Sequence, residues 1–299
     1  MSAPVASLRR KIASAEELGS VVRTMKTMAA SSIGQYEIAV GSLDNYYRTV
    51  QLGLVINLQQ VELSNATSQI VSQKTDAIGA IVFGSDQGLV GRFNEVIVEF
   101  VAQTLGDMPC EKTIWAVGER IQSCLLDAQL QAVAHFALPS SIKSITPLVW
   151  QILLTVERLR ERGDIHQIYV FHNRPKTGAI YAPVAIRLLP LDDRWQRDLL
   201  NLEWPTNNLP QVMSDGEQTL RALIREYLFV SLFRACTESL ASENASRLTA
   251  MKRAEKNIEQ LQTELIRIFH RLRQSDIDEE LFDIVAGFEA LTTASADTV

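Results

Sequence analysis

Apolar residues recur along the first part of the chain at steps of three and four positions. The steps average about 3.5 residues, which is the repeat of a coiled-coil seam. No proline interrupts this part of the chain between Pro4 and Pro109. The pattern therefore predicts a coiled-coil helix over residues 1–60. Its seam positions are Leu8, Ile12, Ala15, Leu18, Val22, Met25, Ala29, Ile33, Tyr36, Val40, Leu43, Tyr47, Val50 and Leu54.

The last part of the chain shows the same spacing and predicts a second coiled-coil helix over residues 214–292. Neither glycine nor proline occurs between Gly216 and Gly287. At about 1.5 Å per residue, residues 217–275 would extend roughly 90 Å. Such a helix needs a partner along its length, and the N-terminal helix is the expected antiparallel one. A compact bundle of shorter helices is the alternative. The seam positions of the second half are Ala241, Ala245, Leu248, Met251, Ala254, Ile258, Leu261, Leu265, Ile268 and Leu272.

Between the helices, short apolar runs alternate with amphipathic stretches over residues 75–191. This alternation predicts a small doubly wound, Rossmann-like α/β domain. A polar connector at 192–213 then leads into the last helix. Strands are predicted at 76–83, 112–117 and 131–138, helices at 93–105, after Gly118 and at 143–162, and paired strands at 166–173 and 178–191 around a turn at 174–178. The predicted fold class is α/β with a long antiparallel coiled coil.

A glycine-containing loop, FGSDQGLVGRFN (83–94), follows the first strand and opens a helix, which is where phosphate-binding loops lie. Its glycines do not form G-x-G-x-x-G, and no G-K-[ST] ending follows. We therefore interpret it as a turn whose glycines adopt positive φ angles. Asp86 and Ser85 are predicted to cap the helix that follows.

The remaining composition offers no catalytic grouping. The three cysteines and four histidines have no metal-ligand spacing, and no nucleophile motif is present. We predict no catalytic residue, no metal ligand and no cofactor. The net charge of −6 disfavours nucleic acid as a partner. The predicted helices are nevertheless basic, with six Lys/Arg against four Asp/Glu over 1–57 and ten against seven over 216–273.

The sequence contains no apolar run near the roughly 20 residues of a membrane helix, and its N-terminus lacks a secretory apolar region. We therefore expect a soluble, cytoplasmic chain without direct membrane insertion. The segment LFDIVAGFEAL (281–291) continues apolar beyond the seam. It is expected either to contact another protein or to fold back on the α/β domain.

Several segments resemble the gamma subunit family of F-type ATP synthases. The resemblance is clearest over 238–261, ESLASENASRLTAMKRAEKNIEQL, and over 273–287, RQSDIDEELFDIVAG. KIAS (11–14), MKTMAAS (25–31) and the loop SDQGLVGRFN are also similar to family segments. The loop departs from the family pattern at Gln87, Val90 and Arg92, where the family usually has Arg, Cys and Gly.

The resemblance implies a rotor shaft without an active site, on the cytoplasmic face of the bacterial inner membrane. Its coiled coil would occupy the bore of a hexamer of alpha and beta subunits, and its α/β domain would form a foot against the epsilon subunit and the membrane c-ring. The matching positions imply beta-loop contacts at Met25, Lys26, Arg273 and Gln274. The family's foot loop maps to Asp86, Gly88, Gly91 and Asn94.

Two other functions stay open on the residues alone. One is a nucleotide-binding α/β protein with helical arms, which the missing phosphate-loop pattern disfavours. The other is a coiled-coil scaffold unrelated to ATP, which would be expected to form an elongated homodimer.

Overall fold

A computed structural model describes residues 3–62, 77–191, 193–202, 204–206, 208 and 216–296. Two compact units are present, one formed by Ala29–Leu248 and the other by Met1–Met28 together with Thr249–Val299. Helices α1 and α6 contribute residues to both units. The elements are α1 (Ala3–Glu62), β1 (Ile78–Phe83), α2 (Phe93–Gly106), β2 (Lys112–Val117), α3 (Glu119–Asp127), β3 (Ala132–Phe136), α4 (Ile145–Glu161), β4 (Gln167–Lys176), β5 (Ala179–Leu189), α5 (Asp193–Leu200) and α6 (Gly216–Ala296), with a 3₁₀ turn at Ile142–Ser144.

The Ala29–Leu248 unit contains a five-stranded sheet in the order β3-β2-β1-β4-β5. The first four strands are parallel, and β5 pairs antiparallel with β4. Every residue of β1 is buried, which matches its continuous apolar run, because parallel strands are covered on both faces. The predicted α/β class is confirmed.

Each face of the sheet supports its own apolar core. Ala80 and Val82 of β1 lie in a core with α2 and α3. Ile81 and Phe83 point to the opposite face, where α4 and α6 supply the other core. This division follows from the two-residue period of a strand. A doubly wound sheet results, with α6 as one of its covering helices.

Within the same unit, α1 and α6 also pack against each other. The rings of Tyr47 and Tyr227 lie 5.6 Å apart between centroids, and Gly53 lies against Leu223. Because residue numbers rise along one helix as they fall along the other, the pairing is antiparallel. The segment predicted as a polar connector contains α5, whose Trp195 Nε1 donates a hydrogen bond to the Tyr227 hydroxyl at 2.9 Å.

The Met1–Met28 and Thr249–Val299 unit is an antiparallel helix pair. Lys26 Nζ lies 2.6 Å from Glu255 Oε2, and the Arg9 guanidinium lies 5.6 Å from the centre of the Phe269 ring. Gly19 faces Ile258 between them. The predicted antiparallel coiled coil is therefore confirmed in this unit.

Two predicted seam positions are wrong. Leu18 is 59% exposed, and Leu261 is exposed as well. The neighbouring Gly19 is buried and Gln262 is half-buried in their places. A straight helix has 3.6 residues per turn, so a strict 3.5 repeat drifts around it unless the pair supercoils. Gly19 faces Ile258 at a distance that leaves room for a Cβ, which would lie 3.5 Å from Ile258 Cγ2.

In the β4–β5 hairpin, β4 is longer and the turn is shorter than predicted. Strand β4 continues through Lys176, so the turn contains Thr177 and Gly178, and Gly178 has a φ of +84°. The pairing register shifts between Arg174 and Lys176. Pro175 lies at this shift because it has no N–H to donate to the ladder.

Candidate interaction surfaces and the loop after β1

The loop after β1 is closed by its own polar groups. The Ser85 amide donates to Asn94 Oδ1 at 3.0 Å, and Asn94 Nδ2 donates to Ser85 Oγ at 2.8 Å. Ser85 Oγ in turn donates to the Gln87 carbonyl at 2.8 Å. Ser85 and Asn94 are both buried. Asn94 thus has a structural role at the start of α2.

Asp86 caps a different helix from the one predicted. Its Oδ1 accepts from the Glu119 amide at 3.0 Å, at the start of α3, and from the Leu138 amide at 3.5 Å. Helix α2 begins after Arg92 without a side-chain cap. The reason is topological, because the carboxyl ends of the parallel strands β1 and β2 meet at one edge of the sheet.

The glycines of the loop have different roles. Gly91 has a φ of +59°, as the turn interpretation predicted, but Gly88 does not have a positive φ. Leu89 adopts the positive φ instead, at +63°, and its side chain is exposed. Gly84 is required by space, because a Cβ there would lie 2.2 Å from the Cβ of Ile121.

The loop also rests on α6 and on β4. Ser246 Oγ donates to the Val90 carbonyl, and Asn173 Nδ2 donates to the Phe93 carbonyl at 3.0 Å. Two N–H groups of the loop donate within the protein, that of Gly84 to the Val117 carbonyl and that of Ser85 to Asn94 Oδ1. The Asp86 carboxylate also occupies the start of α3, and its charge would repel an anion. This geometry fits a structural loop.

The positions that the resemblance assigns to beta-loop contacts fall at two levels of the helix pair. Met25 is half-buried, and Lys26 forms the ion pair with Glu255. Arg273 and Gln274 are exposed. Residues 255 and 273 are separated by about 27 Å along α6 at about 1.5 Å per residue. The structure therefore does not bring the four residues into one site.

The last described side chains of α6 form an apolar tip, which we define as Leu281, Phe282, Ile284 and Val285. All four are exposed, Phe282 at 70% and Ile284 at 71%. Since residue 9 faces residue 269 in the antiparallel pair, the first described residue of α1, Ala3, faces α6 near residue 275. No described residue of α1 reaches the tip.

Sequence reasoning missed a buried charged cluster in the Ala29–Leu248 unit. Glu238 Oε2 accepts from His172 Nε2 and from Arg174 Nε, each at 2.8 Å. Its Oε1 accepts from Arg234 Nε, also at 2.8 Å. Arg234 extends the cluster to Asp44 at 3.1 Å. The available signal was a glutamate inside the helix stretch ESLASENAS, which is rich in small residues typical of close packing.

Burial raises the pKa of Glu238, but the hydrogen bonds from His172, Arg234 and Arg174 together outweigh burial and hold this pKa at about 2. Burial lowers the pKa of His172, and the bond to Glu238 offsets this only in part. His172 is therefore neutral beside an ionised carboxylate. Because a carboxylate only accepts hydrogen bonds, the ring proton lies on Nε2.

The geometry defines a class of protein. Its described parts are an antiparallel helix pair and a doubly wound α/β domain whose loop after β1 is closed by its own polar groups. Such a molecule presents helical surfaces and an apolar tip to partners. Across the described helices, no stretch combines the length and the apolar character that crossing a bilayer requires.

A family model described as ATP synthase matches residues 5–291. Curated relatives are ATP synthase gamma chains. The one from Polynucleobacter asymbioticus is 25% identical over 290 residues, covering 95% of this chain and 98% of its own. The one from Desulfitobacterium hafniense is 24% identical over 284 residues, with the same coverage. The chain belongs to the ATP synthase gamma family.

Solved structures share the fold. A chain of the Euglena gracilis mitochondrial ATP synthase, from the OSCP/F1/c-ring structure in rotational state 3, aligns with a TM-score of 0.63 and 13% identity over 98% of this chain and 96% of its own. A chain of the Tetrahymena thermophila mitochondrial central stalk and c-ring aligns with a TM-score of 0.55 and 21% identity, over 78% and 99%.

Proposed function

We propose that the chain is the rotor shaft of an F-type ATP synthase and couples ion-driven rotation of a membrane ring to ATP synthesis or hydrolysis. The observation that carries the proposal is the family match over residues 5–291, joined to an antiparallel helix pair. Relatives named as gamma chains, and fold neighbours from a central stalk with its c-ring, support it.

The helix pair is proposed to turn inside a ring of alpha and beta subunits. Its basic residues suit acidic loops, and its exposed apolar tip suits an apolar collar. Met25, Lys26, Arg273 and Gln274 are the proposed contacts with beta loops. The helix pair would contact the beta subunits differently in each rotational position and so would stabilise different beta conformations. Rotation would then be coupled to catalysis without a catalytic residue in this chain.

The α/β domain is proposed to form the foot that contacts the epsilon subunit and the membrane c-ring, with the loop of Asp86, Gly88, Gly91 and Asn94 at one edge of its sheet. We place the protein at the cytoplasmic face of the bacterial inner membrane, as a peripheral component. We also propose that the chain itself is not catalytic. The Asp86 carboxylate supports this, because it lies at the start of α3 beside this loop and its charge would repel a phosphate.

Reconstitution tests the function directly. The purified chain is assayed for ATP hydrolysis alone and after assembly with the cognate alpha and beta subunits. We expect no turnover from the chain alone and multisite turnover from the complex. Hydrolysis by the chain alone that is lost on mutating its own residues would overturn the proposal and favour a nucleotide-binding enzyme. A stable homodimer that does not bind the alpha and beta subunits would favour a scaffold.

Arg273→Ala tests the upper level of contacts. The guanidinium is exposed, so its removal should leave folding and assembly unchanged. Loss of a partly desolvated bond to a beta subunit costs about 2–5 kcal/mol, so steady-state ATP turnover of the assembled complex should fall by at least tenfold, about 1.4 kcal/mol. Arg221→Ala, which removes an exposed arginine paired with Glu217, is the control. Equal turnover in both variants would remove Arg273 from the mechanism.

A further inference from the structure

The cluster around Glu238 connects three elements of the Ala29–Leu248 unit. His172 and Arg174 belong to β4, Glu238 and Arg234 to α6, and Asp44 to α1. One carboxylate therefore accepts hydrogen bonds from the sheet and from its own helix, and Arg234 links the cluster to α1 through its ion pair with Asp44. Glu238 is 3% exposed and His172 is fully buried.

The charges of the cluster balance. Glu238 and Asp44 are negative, Arg174 and Arg234 are positive, and His172 is neutral. Displacing the sheet along α6 would separate Glu238 from two of its three donors and leave a buried charge incompletely paired, which is strongly unfavourable. The packed apolar core also resists such a displacement, and the hydrogen bonds add a directional restraint, because they weaken steeply with angle.

His172 contributes one of the bonds between the sheet and α6. Its Nε2 donates to Glu238 Oε2 at 2.8 Å, and the ring is fully buried. Because both partners are buried, this hydrogen bond is electrostatically stronger than one in water. It joins β4 directly to α6.

We propose that Glu238 is a positioning residue that makes the joint between the sheet and the α1 and α6 segments of the Ala29–Leu248 unit rigid, so that force applied to the sheet reaches these helix segments without slip. The inference rests on the proposed rotor function and adds the residue through which one part of the rotor drives the other. A rigid joint matters most when rotation works against a load. Under load, a compliant joint would let these helix segments turn while the sheet lags.

The test uses the complete membrane-bound complex in sealed vesicles. ATP hydrolysis and the membrane potential that it generates are measured together, with a voltage-sensitive dye that responds to any pumped cation. The variants are Glu238→Gln, which removes the charge and keeps the shape, and Arg174→Met, which removes one sheet-side donor that is only half-buried. Glu217→Gln, in an exposed ion pair on the same helix, is the matched control.

We expect the potential generated per ATP hydrolysed to fall by about twofold in Glu238→Gln, which corresponds to the low end of couplings between residues of one charged network. The potential per ATP should fall by less in Arg174→Met, and in Glu217→Gln it should equal that of the unmutated complex. A merely structural role would lower the amount of assembled complex and leave the ratio unchanged. That result, or a proportional fall of hydrolysis and potential, would overturn the inference.

The two levels of proposal fail in different ways. If the unmutated chain does not assemble with its partners or supports no ATP-driven potential, the rotor function itself is wrong. If the unmutated complex pumps and Glu238→Gln pumps equally well per ATP, only the role of Glu238 is wrong. Should Glu238→Gln not assemble, Arg174→Met decides the matter, and an unchanged ratio in that variant refutes the joint.

Discussion

The same two helices bury different kinds of residue in the two units. In Ala29–Leu248, α6 buries polar and charged side chains against the sheet and α1, among them Thr237, Glu238, Ser239, Ser242, Glu243, Asn244 and Ser246. In the other unit, the fully buried apolar side chains among the described residues are Val5, Ala15 and Met251, and many apolar side chains are exposed. The polar side chains of the first unit are covered by other parts of the same chain, and the exposed apolar side chains of the second unit suit contacts with other proteins.

Exposed apolar side chains along a coiled coil therefore need not indicate poor folding. Leu18, Val21 and Met28 of α1 are all exposed, and they recur at helical spacing on one side of the helix. In a rotor they would face surrounding subunits in turn. Substitutions of the buried residues of the Ala29–Leu248 unit should therefore affect folding, and substitutions on this exposed side should affect only the assembled complex.

The largest expected effect is on folding, in Glu238→Ala. The change leaves Arg174, Arg234 and His172 without their shared acceptor, and breaking a buried pair in this way costs about 3–5 kcal/mol. Denaturant unfolding of the isolated chain measures it. Glu217→Ala should change the free energy of unfolding by less than about 0.5 kcal/mol. A similar loss in both variants would mean that burial does not distinguish the two glutamates.

The second expectation concerns pH. The pKa of Glu238 is about 2 in the folded chain against 4.5 as its ordinary value. Because the unfolded chain binds this proton first, the stability that Glu238 contributes is full above pH 4.5 and is lost as pH falls toward 2. The loss is on the order of 3 kcal/mol. His172 also makes the folded chain less stable as pH falls below its ordinary pKa of 6.5. Burial lowers its folded pKa, so the unfolded chain binds this proton first.

Glu243 opposes this trend, because burial raises its pKa and the folded chain therefore binds its proton first. The linked titration of Glu238 and His172 is measured by comparing unfolding curves of the unmutated chain and Glu238→Gln from pH 7 to pH 3, since Glu238 also raises the pKa of His172. The difference between them should shrink steadily below pH 4.5. A difference independent of pH would show that Glu238 does not titrate with the cluster.

The third expectation is a gain in stability, in Gly19→Ala. A Cβ at this position would meet Ile258 Cγ2 at 3.5 Å, an ordinary contact, and alanine favours the helix by about 1 kcal/mol over glycine. The same substitution at Gly84 should prevent normal packing, because its Cβ would overlap Ile121. Thermal unfolding of both variants measures the contrast. A destabilised Gly19→Ala chain would mean that the helices must approach more closely there.

The smallest expected effect is in Leu18→Ala. The side chain is exposed although it matches the apolar repeat, so the free energy of unfolding should stay within about 0.5 kcal/mol of the unmutated value. Ile12→Ala, at a half-buried seam position, should cost about 1 kcal/mol. An equal loss of unfolding free energy in the two variants would mean that Leu18 does pack in the seam.

The sequence by itself determined the element types and the fold class. Periods near 3.5 and 2, the position of glycines and prolines, and the short apolar runs are local properties, so they predicted both long helices and every strand of the sheet. The segments typical of the gamma family also lie within continuous stretches. For this reason the family was recognisable from residues 238–261 and 273–287 without any tertiary structure.

The tertiary structure alone decided which groups meet. Asp86 caps α3 because two parallel strands end at one edge of the sheet, and Gly19 replaces Leu18 because the helices settle in a particular rotation. His172 and Glu238 are 66 residues apart and form one hydrogen bond. Local pattern constrains the conformation of each segment, but contacts between distant residues depend on how the segments pack, and no spacing along the chain encodes that directly.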